Sequence, residues 1–229
     1  MTVYFDANNI YDAGTKAMQS SKFKHSTQLF EMNHLLTTAH IRRGFITGNY
    51  KPDPGNKFPI NERGHPRYIT SNTMVDKTVN HLLCDEVLTP SISKYLIYDN
   101  GASQKGKGVA FHRRRFEARL HQYFMQNGTN EGYILLVDFS GYYANIPHDK
   151  CLEVLQTFLE REVGDPETLA ITEMLLPLIF KTFEQDASRF TDKEIEAMMA
   201  GKIDPMLNYG VDPALLTGEK MLRKGVDIG

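Results

Sequence analysis

Apolar residues recur at helical spacing along much of the chain. Leu29, Met32, Leu35 and Leu36, followed by Ala39 and Ile41, predict helical structure in the first 47 residues with these positions on an apolar face. Gly44 and Gly48 loosen its end, and Tyr50–Asn56, with two prolines and a glycine, predicts a loop. Two short apolar runs, Phe58–Ile60 and Tyr68–Ile69, flank a polar turn containing Gly64, which predicts a β-hairpin with a basic tip. Val75, Val79, Leu82 and Leu83 predict a helix over about 75–87, with Pro90 marking an end or a kink. A polar Gly-rich loop, Tyr98–Gly108, leads into a basic helix over roughly 110–125, and Asn127–Gly132 breaks it.

The second part of the chain starts with its strongest strand signal. Tyr133–Val137 is a continuous apolar run, the pattern of a buried strand, and it ends at Asp138. Helices are predicted from His148 or Asp149 to about Arg161, from about Pro166 to Phe183, and over Asp192–Met199 with Thr191 or Asp192 as the N-cap. Residues 184–224 are otherwise acidic and mixed, and there is no internal repeat. The sum is an α+β, helix-rich chain.

Composition changes this picture little. Of the 229 residues, 41% are apolar and 24% charged, ordinary for a globular protein. No run approaches the length of a membrane helix, and the N-terminus lacks the basic start and apolar core of a secretory signal, so the expected compartment is the cytoplasm. Two cysteines do not make a secreted disulfide framework. His81 with Cys84 and His148 with Cys151 repeat a His-x-x-Cys spacing, but the Cys-x₂₋₄-Cys spacing usual for zinc is absent, which favours small buried cysteines beside unrelated histidines.

Charge says more. The net charge is −2, yet residues 1–125 hold 17 Lys and Arg against 10 Asp and Glu, and residues 126–229 hold 9 against 18. Seven of the eight histidines lie in the first part. A basic half predicts a polyanionic partner.

Tyr133–His148, an apolar strand, then Asp138, Phe139, two further positions, the pair Tyr142–Tyr143, and Ile146-Pro147-His148, resembles motif A of bacterial reverse transcriptases. The resemblance implies that Asp138 is a metal-binding aspartate and Phe139 the residue whose carbonyl faces the metal. It makes Tyr143 the aromatic gate that rejects a ribose 2′-OH and so favours dNTP over NTP. Ile60–Ile69 resembles the family's fingers hairpin. Arg67 then falls where an arginine meets the triphosphate, with Arg63 a second candidate and Lys57 a weaker third; a guanidinium fork matches phosphate oxygens. Asp76–His81 resembles the next helix, with Asp76 read as its N-cap. Asn100–Gly108 resembles the following Gly- and Lys-bearing loop, which would set Lys105, Lys107 and the cluster Arg113, Arg114 and Arg115 against template or primer phosphates. It is not a Walker loop, because G-x-x-x-x-G-K-[ST] is absent.

These blocks run in order from about residue 57 to 160. The implied architecture is a right-hand polymerase with a helical N-terminal extension over 1–50, fingers over 51–132, and a partial palm with a short antiparallel sheet over 133–229. Residues 184–224 would be an insertion, and Gly225–Gly229 resembles the start of motif B. The implied function is an RNA-directed DNA polymerase that takes an RNA template, a DNA primer, dNTPs and two Mg²⁺ ions. The family's second metal motif carries adjacent aspartates, and this sequence has no Asp-Asp dipeptide. The chain is therefore expected to be a fragment, inactive by itself. The alternative is a non-catalytic nucleic-acid-binding module derived from such an enzyme.

Overall fold

The computed structural model describes residues 4–102 and 104–226. The chain divides into two compact units, Met1–Ser91 with Ser140–Gly229, and Ile92–Phe139.

In the first unit, α1 (Ala7–Met18) starts where Asp6 accepts the Asn9 backbone N–H at 2.8 Å. Helices α2 (His25–Met32) and α3 (His34–Thr47) follow, interrupted at Asn33. β1 (Asn56–Glu62) and β2 (His65–Ser71) form the expected antiparallel hairpin, in register Phe58↔Ile69 and Ile60↔Arg67. Its two-residue turn places Arg63 at φ 53° and Gly64 at φ 83°, the left-handed pair that matches the twist of a hairpin.

α4 (Met74–Leu82) continues into a wider turn over Leu83–Leu88 and then α5 (Thr89–Ile92). Thr89 N–H donates five residues back, to Cys84 O. Pro90, which has no N–H to give, thus enters a helix that has changed pitch rather than ended. The N-cap of α4 is Thr73, whose hydroxyl accepts the Asp76 N–H at 3.1 Å. This corrects the reading of Asp76 as the cap. Asp76 stands one turn inside, buried, where Tyr50 donates to it at 2.6 Å and Thr73 at 2.5 Å.

In the second unit, α6 (Val109–Asn127) is preceded by an ordered loop. Lys107 turns inward to donate to Tyr98 O at 2.9 Å and Asn100 O at 3.3 Å, and sits over the Tyr98 ring. Tyr98 in turn packs edge-on against Phe111. No residue of α6 is buried.

Back in the first unit, α7 (His148–Glu162) and α8 (Pro166–Phe183) match their predicted spans. Asp165 caps α8 and Pro166 opens its first turn, where a missing N–H costs nothing. α9 (Asp192–Ala200) carries a full capping box between Thr191 and Glu194. β3 (Gln185–Asp186) pairs antiparallel with β4 (Met221–Leu222), closing the segment between them.

The main core joins Ile10, Ile41 and Phe45 to Val79, Leu82 and Leu83 of α4 and its extension, and to Leu159, Leu175, Leu176 and Phe180 of α7 and α8. Ala187, Ile203, Leu207 and Leu222 form a separate small core inside the 185–222 segment.

Two further expectations are corrected. Leu29, Met32, Leu35 and Leu36 are exposed. The face that α2 and α3 bury instead is Thr27, Phe30, His34, Thr38, Ile41 and Phe45, which has equally good helical spacing. Ring stacking selects it: His34 lies flat on Tyr11 with centroids 4.0 Å apart, and Phe30 packs on His34 at 5.0 Å. The second correction concerns the strand. Tyr133–Val137 forms no ladder and is exposed throughout, Tyr133 fully so and Ile134 at 62%. A strand is stabilised by its neighbours, and among the described residues no strand pairs with this run.

Candidate functional site

The first unit holds a cleft of about 170 Å³ whose walls come from distant parts of the sequence. The hairpin supplies Lys57 and Tyr68. The turn before α7 supplies Tyr143 and Ala144, and the end of α8 supplies Phe183. The 184–222 segment supplies Glu184, Gln185, Asp186, Pro205 and Asn208, and the strip that follows supplies Gly225 and Val226.

Local structure positions each contributor. In β2 successive side chains alternate faces, so Tyr68 and Arg67 point to opposite sides of the hairpin. Cross-strand neighbours share a face, and Lys57, paired with Thr70, lies on the Tyr68 side. Arg67, paired with Ile60, lies on the other and forms an exposed ion pair with Glu62 at 2.8 Å. Arg63 is exposed at the hairpin tip. Of the three cations weighed for a triphosphate, the fold therefore brings Lys57 to the cleft and turns Arg67 from it. The ammonium of Lys57 is only loosely held, 3.5 Å from Thr182 O.

Tyr143 opens a single 3₁₀ turn over Tyr143–Asn145 and stacks edge-on against Tyr142 at 5.4 Å. Its turn is fixed from both sides. Asn145 donates to Gly141 O at 2.8 Å, and Val226 N–H donates to Tyr143 O at 3.0 Å. Gly141 takes φ 63°, which a glycine adopts without strain.

The far wall was not legible in the sequence. Asn208 donates its amide to Asp186 O at 2.8 Å, while its own Oδ1 is buried without a partner. Asp186 accepts from Ser188 N–H, Ser188 Oγ and Gly218 N–H, all within 2.8 Å, and so ties two loops of the segment together. Nothing in the order of residues 184–224 marks them as facing the hairpin.

The basic positions of the second unit divide into two kinds. Arg115 grips Asp99 through two nitrogens, at 2.5 and 3.2 Å, and Arg119 adds a third bond at 3.1 Å. The Arg115 guanidinium first, and Arg119 second, hold the Asp99 carboxyl down to about 2. Arg113 pairs with Glu117 one turn on. Lys107 belongs to the scaffold of its own loop. Arg114 and Lys105 are exposed. The surface is basic, but three of its cations also order the unit.

Asp138 and Phe139 lie in the exposed segment that follows the unpaired run. Among the described residues no three His, Cys, Asp or Glu side chains come together as a metal-binding group. One carboxylate does not supply the donor set of two Mg²⁺ ions, so the residues present do not fit that pair by themselves. The second His-x-x-Cys pair is separated by function. His148 is buried and hydrogen-bonded to backbone, while Cys151 is half-buried beside the core. Cys84 is exposed, against the expectation of a buried thiol. No helix among the described residues is long and apolar enough to cross a membrane. Residues 227–229, the end of the stretch resembling motif B, lie outside the described residues.

No protein-family model matches this chain, and no curated protein matches it.

Proposed function

We propose that the chain is the fingers and first half of the palm of an RNA-directed DNA polymerase, with a nucleotide site in the cleft between the hairpin and the Tyr143 turn. The observation that carries the reading is the meeting of Tyr143 with Lys57 and Tyr68 in one cleft. The resemblance implies that the hairpin and the Tyr143 turn meet the same nucleotide. The cleft offers such a ligand two aromatic rings for a base or sugar, one loosely held ammonium for phosphate, and an amide side chain, while its two carboxylates are already engaged, Glu184 by Arg223 and Asp186 by Ser188 and the Gly218 N–H.

In this reading Tyr143 contacts the sugar and Lys57 takes over the phosphate role that motif order assigned to Arg67. Arg67, Arg63, Arg114 and Lys105 contact the template–primer backbone, where exposed cations gain affinity by releasing counterions. Asp138 is the first metal carboxylate, and among the described residues no three His, Cys, Asp or Glu side chains come together to complete the donor set that two Mg²⁺ ions require. The chain alone therefore binds and does not extend a primer.

The test is binding of a fluorescent dUTP analogue by the chain, with UTP as competitor. Lys57→Gln is expected to weaken both nucleotides, and Tyr143→Ala to narrow the preference for the deoxy sugar. Equal, weak binding of both nucleotides to all three proteins would sink the reading. A second reading is a nucleic-acid-binding module without catalysis, favoured by the solitary Asp138. It predicts salt-dependent RNA binding that Arg114→Ala weakens while nucleotides do not bind at all.

A further inference from the structure

His148 stands outside the cleft, yet it is joined to the cleft wall by an unusual set of bonds. It is buried at the first position of α7, with its ring edge-on to Phe180 at 5.3 Å. Its Nε2 lies 2.5 Å from Gly225 O. A carbonyl only accepts, so Nε2 carries the proton and donates, and Nδ1 is buried without a partner.

Around that bond the strip 223–226 is laced to residues 143–148. His148 N–H donates to Arg223 O at 3.1 Å, Gly225 N–H to Ile146 O at 2.8 Å, and Val226 N–H to Tyr143 O at 3.0 Å. Gly225 sits at φ 90° against Ala144, where an added Cβ would come within 3.2 Å of the Ala144 carbonyl oxygen. On its far side Lys224 is buried, and its ammonium donates to the carbonyls of Met198, Met199 and Gly201 at the end of α9. The strip is thus clamped between a helix end and a histidine, and the residue it clasps is Tyr143. Of these contacts, the histidine bond is the one made by a side chain of α7, the helix that follows the Tyr143 turn.

We propose that His148 is a positioning residue for Tyr143: by donating to Gly225 O it holds the 223–226 strip against the Tyr143 turn and so fixes the angle at which that ring faces the cleft. Its consequence for sugar discrimination rests on the nucleotide reading above, but the positioning itself does not.

The chain has no tryptophan, so Tyr143→Trp creates a single indole emitter at the site. His148→Leu in that background keeps an apolar volume against Phe180 and removes the donor, while His148→Gln keeps a donor. The expected result is a loss of indole anisotropy and easier acrylamide quenching in the Leu variant, with rescue by Gln, while circular dichroism reports an intact fold in both. Unchanged indole emission in a folded Leu variant would overturn the proposal. So would equal disturbance by Leu and Gln, which would make His148 mere core. If the Leu variant fails to fold, amide exchange in the unaltered chain decides: Gly225 and Val226 N–H must exchange slowly, and rapid exchange refutes the clamp.

The nucleotide arm is read separately, in the background that keeps Tyr143. A smaller dUTP-over-UTP preference in His148→Leu, restored in His148→Gln, supports the gating consequence, and an unchanged preference overturns it. Failure of either nucleotide to bind, with the indole response as expected, removes the polymerase reading and leaves the positioning intact.

Discussion

Helices α7 and α8 and the second unit all carry large apolar residues, and they use them differently. Leu159, Leu175, Leu176 and Phe180 vanish into the main core, while in Ile92–Phe139 neither α6 nor the run Tyr133–Val137 contains a buried residue. The second unit is ordered by polar contacts instead: Asp99 between Arg115 and Arg119, Lys107 under two carbonyls, and the Tyr123 hydroxyl on Glu131 O at 2.7 Å. Apolar periodicity states which residues gain by burial. Whether they are buried depends on a partner surface, which no local pattern records.

The largest effect should come from cutting into the buried side of this comparison. Leu175 is fully buried, so Leu175→Ala leaves a cavity and is expected to cost about 2–5 kcal/mol in urea unfolding. Leu136→Ala in the exposed run is expected to change stability by less than about 0.5 kcal/mol. Comparable losses at the two positions would show that the run is packed in solution.

Next in size is Gly14→Ala. A Cβ at residue 14 would fall 2.3 Å from His34 Nε2. Overpacking is expected to cost about 1–3 kcal/mol, offset by roughly 1 kcal/mol of helix propensity. His34→Ala should relieve the clash, so a double-mutant cycle between the two is expected to show coupling; strict additivity would place the ring elsewhere. Tyr50→Phe is of comparable size. It removes one of the donors to buried Asp76, leaving the Thr73 hydroxyl in place, and is expected to lower the unfolding free energy by about 1–3 kcal/mol. Burial first, and the hydrogen bond to the Asp76 carboxylate second, push the Tyr50 hydroxyl above its usual range.

The same contrast explains what was legible in the sequence. α7, α8, α9 and the hairpin were readable because their signals are local: Thr191 with Glu194, Asp165 before Pro166, a Gly-bearing turn between short apolar runs. The stripe on α2 and α3 was misread because two stripes have the same period, and the choice between them is made by Tyr11, on another helix. The strand at 133–137 was misread because a strand is a property of a pair. Tyr143 was singled out by the resemblance to motif A, and the structure places it in the cleft wall. Lys57 was ranked below Arg67 because which face of the hairpin meets the cleft depends on the remote residues that wall it. Asn208 carried no signal at all.

The smallest effects belong to titrating groups, and they again separate the two regions. Burial holds the His34 imidazole below its ordinary value. A histidine kept neutral in the fold contributes full stability above the unfolded value of about 6.5. That contribution declines as pH falls through this value, because the unfolded chain then takes up a proton that the fold resists. The urea midpoint should therefore drop between pH 7.5 and 5.5 by more in the wild type than in His34→Phe, and parallel curves would refute the assignment. In the second unit the sign is the same but the window lies lower. Asp99 is held at about 2 by Arg115 and then Arg119, so its contribution is complete above the unfolded value near 4, declines progressively below it and is gone once pH has fallen through about 2. Carbon-detected NMR of the Asp99 carboxyl should give a midpoint near 2 at low salt, moving up as salt screens an exposed pair. A midpoint at the ordinary aspartate value would mean that both arginines are released in solution, and would return Arg115 to the set of cations available to a polyanion.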